Sequence, residues 1–339
     1  MGRGGGVRGI VELAFLEAVE QEYRRRTGTK GQICDWFDLI GGTSTGALIA
    51  TALALGRPLD EIRDFYLNRA VRFFSTRRWW RFPFSAVFDC AAFEEEVRRD
   101  VGDLCLGDPA FRTHLAIVTK RLDTAAPWIV SNIPSAPYFE DAHEQSRRGN
   151  RHFKVAQLLR AATAAPTLFR HQEIEIAPDE PPGIFIDGGL SPFNDPSLAL
   201  LRLARMRAFG LNWPLGQDRL FILSIGSGRF RRRLRAEQLR NAPALLMAIR
   251  SMLGMMADND AATLTMMEWL GKSPAPSRID SEIGTLDGQP LGETPLFTFL
   301  RLDLPLEAEA LAALGHNVTP TDLRRLQSLD DPQAIAPLY

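Results

Sequence analysis

The sequence predicts an α/β domain built on a mostly parallel sheet with helices on both faces. Short apolar runs alternate with stretches of helical period along the chain. The 339 residues, 45% hydrophobic and 24% charged, suffice for one large core. No internal repeat and no long disordered segment interrupts the alternation, so a single domain over residues 1–339 is expected.

The elements follow in order. Over residues 10–25, Ile10, Leu13, Leu16, Val19 and Tyr23 recur at helical spacing, with Glu12, Glu17, Glu20, Arg24 and Arg25 on the other faces. Trp36 to Ile40 is a short apolar run before a glycine pair, which predicts a buried strand. Ala47 to Leu55 reads as a buried helix ended by Gly56, and a second helix runs from Leu59 to Phe74. Further strands are expected at Leu115–Thr119, Trp128–Ser131, Ile184–Ile186 and Leu220–Ile225, with a helix over Val155–Ala165. Residues 132–152 and 271–294 read as surface loops. Residues 231–339 are expected to be helical and to pack on the same domain.

A net charge of −1 gives no global attraction for nucleic acid or an anionic membrane. Cys34, Cys90 and Cys105 are few and widely spaced, which argues against a disulfide framework or a zinc site. No stretch near Met1 suits a signal peptide, and no run approaches the roughly 20 apolar residues of a membrane span. A cytoplasmic protein that visits a membrane surface is expected.

The most informative segment is Asp38-Leu39-Ile40-Gly41-Gly42-Thr43-Ser44-Thr45-Gly46-Ala47-Leu48. A strand enters Gly-Thr-Ser-Thr-Gly and a helix leaves it, the setting that gives G-x-S-x-G its meaning as a nucleophile turn. Ser44 is the candidate nucleophile, with Gly42 and Gly46 where side chains would collide. The following helix aims its amino end at developing negative charge. A flexible Gly/Thr/Ser turn is the plainer reading of the same letters.

Gly4-Gly5-Gly6-Val7-Arg8-Gly9 precedes a helix and can aim backbone amides into one small volume. In an acyl hydrolase that volume is the oxyanion hole, to which the Thr45 amide adds a donor, and Arg8 braces the loop or supplies charge. The same letters match a dinucleotide-binding G-x-G-x-x-G. The strand before it and the later acidic residue are missing, and Arg24, Arg25 and Arg26 suit an NADP phosphate instead. Asp187 ends the apolar run Ile184-Phe185-Ile186 and is followed by Gly188 and Gly189, which open space beside its carboxylate. A solvated Asp-Gly-Gly turn is the alternative.

Taken together, the G-G-G-x-R-G loop, the G-T-S-T-G turn and the D-G-G motif, in that order, resemble the patatin-like phospholipases. The segments Arg160–Phe169 and Leu223–Gly228 are also similar to that family. The resemblance spans about residues 3–230, with weaker similarity at Leu300-Arg301-Leu302. It implies a three-layer α/β/α fold and hydrolysis of lipid acyl esters with no metal or cofactor. It also implies a Ser44–Asp187 dyad, with oxyanion amides from Gly4, Gly5 and Gly6. The family's aspartate before the three glycines, and the strand before that, are here replaced by Met1-Gly2-Arg3, so a first strand is absent or the chain starts late. A general carboxylesterase or thioesterase, or a non-catalytic NADP-binding or scaffold protein, are the alternatives.

A Ser–Asp–His triad would need a histidine after Asp187, and His316 is the only one. His114, His143, His152 and His171 precede it and read as structural or surface residues. Arg72, Arg77, Arg78, Trp79, Trp80 and Arg81 form a candidate membrane-docking segment, since Trp suits an interface and Arg meets phosphate. Arg229 to Arg235 is a second basic run, read as a solvated helix start. The Met-rich stretch 243–270 is expected to pack in the core, with an acyl groove as the alternative.

Overall fold

The computed structural model describes residues 2, 5–70, 88, 90–142, 147–166, 168–230, 236–240, 242–289, 291–328 and 330–339. The expected docking segment from Arg72 to Arg81, the run Arg231–Arg235, and Arg3, Gly4 and His143 lie outside the described residues.

Seven strands carry the architecture among the described residues: β1 (Leu39–Thr43), β2 (His114–Arg121), β3 (Ala126–Ser131), β4 (Gln172–Ile174), β5 (Gly183–Asp187), β6 (Phe221–Ile225) and β7 (Thr298–Leu302). Five of them pair in the order β1-β2-β5-β4, with β3 also on β2, while β6 pairs with β7. Gly2 joins the two groups. It bridges Gly42 and Ile225, both in parallel, with Gly2 N–H donating to Gly41 O at 3.1 Å and Thr43 N–H to Gly2 O at 3.2 Å. Among the described residues Gly2 thus lies between β1 and β6.

The sheet is mixed rather than mostly parallel. β1–β2 and β6–β7 are parallel, but β2–β3, β2–β5 and β4–β5 are antiparallel. The turn between Arg121 and Ala126 is too short for a crossover, so β3 must fold back on β2. A buried apolar run reads the same in either direction, which hides this from the sequence.

Successive residues of β2 face opposite layers. Leu115 and Ile117 pack with Ile10 and Leu13 of α1 (Gly9–Thr27), a neighbouring α2 (Ile33–Trp36), and Ile49 and Leu53 of α3 (Thr45–Ala54). The same layer holds α4 (Leu59–Asp64), α5 (Cys90–Val101), and Leu158 and Leu159 of α6 (Val155–Ala162). Ala116 faces the other side, with Leu200 and Leu203 of α7 (Ser197–Arg205). Val118 packs there with Phe193 and Ala199. The result is the three-layer α/β/α arrangement.

Several boundaries differ from expectation. The expected strand is present but shifted: Asp35 Oδ2 accepts the Gln32 N–H at 2.8 Å at the start of α2, which takes in Trp36, and β1 begins at Leu39 and runs through both glycines. The helix from Leu59 changes to a π-helical turn at Phe65–Ala70. Residues 231–339 are not wholly helical, because β7 lies within them. They also hold α8 (Ala236–Arg240) and α9 (Ala244–Leu270). In α9 only Thr263, Met267 and Glu268 are buried, while Met247, Met255 and Met266 are exposed, so the expected core packing of this stretch is corrected. No helix among the described residues is long and apolar enough to cross a membrane.

Backbone proximity constrains the turn after β1. A Cβ on Gly42 would lie 2.0 Å from Gly46 O, and one on Gly46 would lie 2.3 Å from Gly2 O. Gly28, by contrast, ends α1 at φ +69° with open space around it. Gly42→Ala is expected to lower unfolding free energy by about 3 kcal/mol or more through overpacking. Gly28→Ala should lose only about 1 kcal/mol from its left-handed backbone. Urea unfolding of the two variants checks the difference; equal losses would contradict it.

Candidate active site

Strand β2 brings the two candidate catalytic residues together. Thr43, the last residue of β1, pairs with Val118, and Asp187, the last residue of β5, pairs with Thr119. The two strands thus approach head to head along one edge of β2, and their carboxyl ends meet. The sequence predicted a meeting at strand ends through a parallel sheet; the structure achieves it with β5 antiparallel.

Ser44 projects from the turn with φ +55° and ψ −128°, a region that non-glycine residues rarely adopt. Such a backbone stores about 1–3 kcal/mol of strain. Its Oγ donates to Asp187 Oδ2 at 2.6 Å. Asp187 is buried, and its Oδ1 accepts the Gly189 N–H at 2.8 Å. Its own amide donates to Ala164 O at 3.1 Å, which ties it to the segment after α6. Burial raises the carboxyl pKa from 3.8 to about 6, against the smaller lowering from the Ser44 and Gly189 hydrogen bonds.

The glycine loop sits on the same side. Gly5 and Thr45 are buried, and Gly6 opens a helical turn at φ +59°. Gly5 N–H donates to Thr45 Oγ1 at 3.3 Å, so that amide is engaged in the free chain. Thr45 is the first residue of α3, and its amide has no acceptor within the helix. Arg8 is buried, donates from Nη1 to Gly228 O at 3.3 Å and stacks over Phe230, so it braces the loop. Gly9 lies against Tyr66, whose hydroxyl a Cβ would meet at 2.5 Å, and Tyr66 Oη donates to Thr45 O at 3.4 Å. A Cβ on Gly188 would meet Val118 O at 2.3 Å. At Gly189 a Cβ would stand 3.3 Å from Met256 Cε, which places α9 beside the aspartate.

The described histidines lie elsewhere. His316 sits in an exposed turn after α10 (Ala308–Ala313). His152 bonds Asp141 at the surface, and the exposed His171 bonds Glu173. His114 starts β2, at the opposite end from Thr119, and burial lowers its pKa. Among the described residues, the side-chain bonds of the Asp187 carboxylate are those to Ser44 and Gly189. A cavity of about 740 Å³ lies at that opposite end, lined by Asp38, Arg112, His114 and Trp213 among others, and holds none of the candidate catalytic residues.

Sequence reading missed the groups that tie the site together. Thr43 Oγ1 donates to Phe193 O at 2.7 Å, linking the serine turn to the loop beyond Asp187. Asn194 Nδ2 donates to Asp260 Oδ2 of α9 at 3.0 Å. The lone arginine in the apolar run Leu300-Arg301-Leu302 was the available signal for a buried ionic partner.

A strained serine at a strand-to-helix turn, bonded to a buried aspartate in a three-layer α/β/α fold, defines a candidate acyl hydrolase site. The model of the patatin-like phospholipase family matches residues 3–200, and the chain belongs to that family. The chain is 27% identical over 253 residues to patatin-like protein 2 of Arabidopsis thaliana, covering 66% of this chain and 58% of that one. It is 28% identical over 206 residues to a cGAMP-activated phospholipase of Vibrio cholerae, covering 57% and 54%. It is also 28% identical over 239 residues to the probable inactive patatin-like protein 9 of Arabidopsis thaliana, covering 66% and 59%. The chain thus spans little more than half the length of these curated relatives.

The raised pKa has a consequence for stability. Below about pH 4 Asp187 is protonated in both folded and unfolded chains, and the folded state gains most from the proton it binds more tightly. As pH rises through about 6 the folded state must release that proton in a dry pocket, and the gain is lost. The loss approaches about 3 kcal/mol at neutral pH. Asp187→Asn removes this titration. It is expected to gain stability over the wild type by up to about 3 kcal/mol between about pH 4 and pH 8. Urea unfolding at both pH values checks this; a difference that does not change with pH would contradict it.

Proposed function

We propose that this chain cleaves carboxylic esters of lipids, as a phospholipase A or lysophospholipase, through Ser44 and Asp187. The observation that carries the reading is the 2.6 Å hydrogen bond from Ser44 Oγ to a buried Asp187 whose pKa is raised to about 6. At neutral pH that carboxyl is largely ionised, yet it is a far better base than a solvated aspartate.

In this reading Asp187 accepts the Ser44 proton as Oγ attacks the ester carbonyl carbon. The carbonyl oxygen becomes an oxyanion facing the amides of Gly5, Gly6 and Thr45, and the Gly4 amide is assigned by resemblance. Each well-placed donor contributes about 3 kcal/mol to the transition state. Binding of the oxyanion draws the Gly5 amide away from Thr45 Oγ1. The tetrahedral intermediate collapses, the alcohol leaves with the proton held by Asp187, and an acyl-serine remains. Water then attacks it with Asp187 as base, releasing the fatty acid and restoring Ser44. The amino end of α3 favours the negative charge in both steps.

A fluorophosphonate probe is expected to label the wild type and not Ser44→Ala. Fatty-acid release from phosphatidylcholine vesicles should vanish in Ser44→Ala and fall about 100-fold or more in Asp187→Asn. His316→Ala should retain wild-type activity. Loss of activity in folded His316→Ala would overturn the dyad. Labelling without release from phospholipid, but with turnover of a short ester, would favour a general esterase. Absence of labelling in the wild type would favour a scaffold.

A further inference from the structure

Arg301 stands on β7, remote in sequence from both candidate catalytic residues, with a side chain only 6% exposed. Its Nη1 donates to Asp195 Oδ2 and to Ser224 Oγ, each at 2.6 Å, and its Nη2 donates to Asp303 Oδ2 at 2.8 Å. Burial alone would pull the guanidinium pKa down, but Asp303, Asp195 and Asp260 outweigh it and raise it. An interior cation persists only where its charge and its N–H donors are answered in this way.

Two arms lead from Arg301 to the site. Asp195 closes the loop that starts at Asp187, and its Oδ1 accepts the Ser197 N–H at 2.9 Å at the start of α7. Within that loop Ser191 Oγ donates to Gly188 O at 2.6 Å, and Phe193 O accepts from the serine turn. Asp303 holds the other arm. Its Oδ1 accepts the Gly228 N–H at 3.0 Å, and its carboxylate fills the space of a Cβ on Gly226. The residue between them, Ser227, lies where a Cβ on Gly5 would stand, 2.2 Å from its Oγ. Gly228 O accepts from Arg8. The glycine loop therefore rests on the turn that Asp303 holds.

We propose that Arg301 is a positioning residue. Through Asp195 and Asp303 it holds the loop after Asp187 and the turn beneath Gly5 in one register, so that base and oxyanion amides face the same point beside Ser44. It touches no reacting atom. The proposal rests on the Ser44–Asp187 reading above. Displacing a group at such a site by about 1 Å lowers rate about 100-fold, which sets the scale of the effect.

The test is steady-state turnover of a soluble p-nitrophenyl ester from about pH 4 to pH 9, with urea unfolding to give the folded fraction. Arg301→Met is expected to lower kcat about 100-fold with KM within about two-fold. Its acid limb should move from about pH 6 toward the ordinary carboxylate range as water reaches Asp187. The groups facing Asp187 are the Ser44 hydroxyl and the Gly189 amide. The charged side chains that packed elements bring to the loop after Asp187 are Lys120 of β2, whose Nζ donates to Leu190 O at 2.9 Å, and Asp260 of α9, which accepts from Asn194. None of these is altered. Arg301→Lys should restore part of kcat, since an ammonium keeps the charge but not the fork. Asp303→Asn should lower kcat and leave the acid limb in place, whereas Asp195→Asn should move the limb.

If Arg301→Met does not fold, Arg301→Lys and Asp303→Asn decide the matter. Folded variants with wild-type kcat and acid limb, and only a lower unfolding midpoint, would overturn the proposal. A wild type whose Ser44 is not labelled by the fluorophosphonate overturns the dyad and the proposal together. A labelled wild type with unaffected variants overturns the proposal alone.

Discussion

Everything in the candidate site depends on one edge of strand β2. That edge pairs with β1 as far as Val118 and with β5 from Thr119 onward. The two partners run in opposite directions, so each ends where the other ends. Backbone hydrogen bonds set this register to within one residue, because a slip by one would turn every side chain to the wrong face. Ser44 and Asp187 are one residue beyond a strand end and at a strand end, respectively. Their 2.6 Å contact is thus a consequence of sheet pairing rather than of any attraction between them.

That contact is held against two adverse terms. Ser44 keeps a backbone conformation that costs about 1–3 kcal/mol, and Asp187 keeps a carboxyl whose ionisation is opposed by burial. Neither persists unless the surroundings over-determine it. They do so with backbone against backbone: Gly2, Gly42 and Gly46 pack too closely for any Cβ, and Gly188 lies against Val118 O. Loops beyond the strands are fastened by buried polar groups, including Thr43, Asn194, Asp195 and Asp303. Together the two costs, about 1–3 kcal/mol for the backbone and about 3 kcal/mol for the carboxylate at neutral pH, are a large share of the roughly 5–15 kcal/mol by which a domain is stable.

The surface beside Gly189 follows a different logic. Helix α9 passes beside Gly189 through Met256, yet three of its six methionines, Met247, Met255 and Met266, are exposed and only Met267 is buried. Methionine suits a buried gap and an exposed apolar surface equally well, so its abundance did not reveal which applied. The direction of β5 was hidden for a similar reason, because Ile184-Phe185-Ile186 is apolar whichever way it runs. The short helix α2 took Trp36 from the start of the expected strand, with a local bond from Gln32 N–H to Asp35 at its first turn, and the strand begins at Leu39.

The sequence by itself determined the chemical groups and their local setting. Gly42 to Gly46 specify a sharp turn between strand and helix, and Gly188 and Gly189 specify open backbone beside a carboxylate; both are local demands that residue identity expresses directly. Only the tertiary structure decided that these groups meet, that Gly2 bridges Gly42 and Ile225, and that Arg301 lies between Asp195 and Asp303. Arg301 and Asp195 are 106 positions apart. Bonds across such separations leave no periodic trace in the chain, because they depend on how strands pair and layers stack rather than on any neighbouring residue.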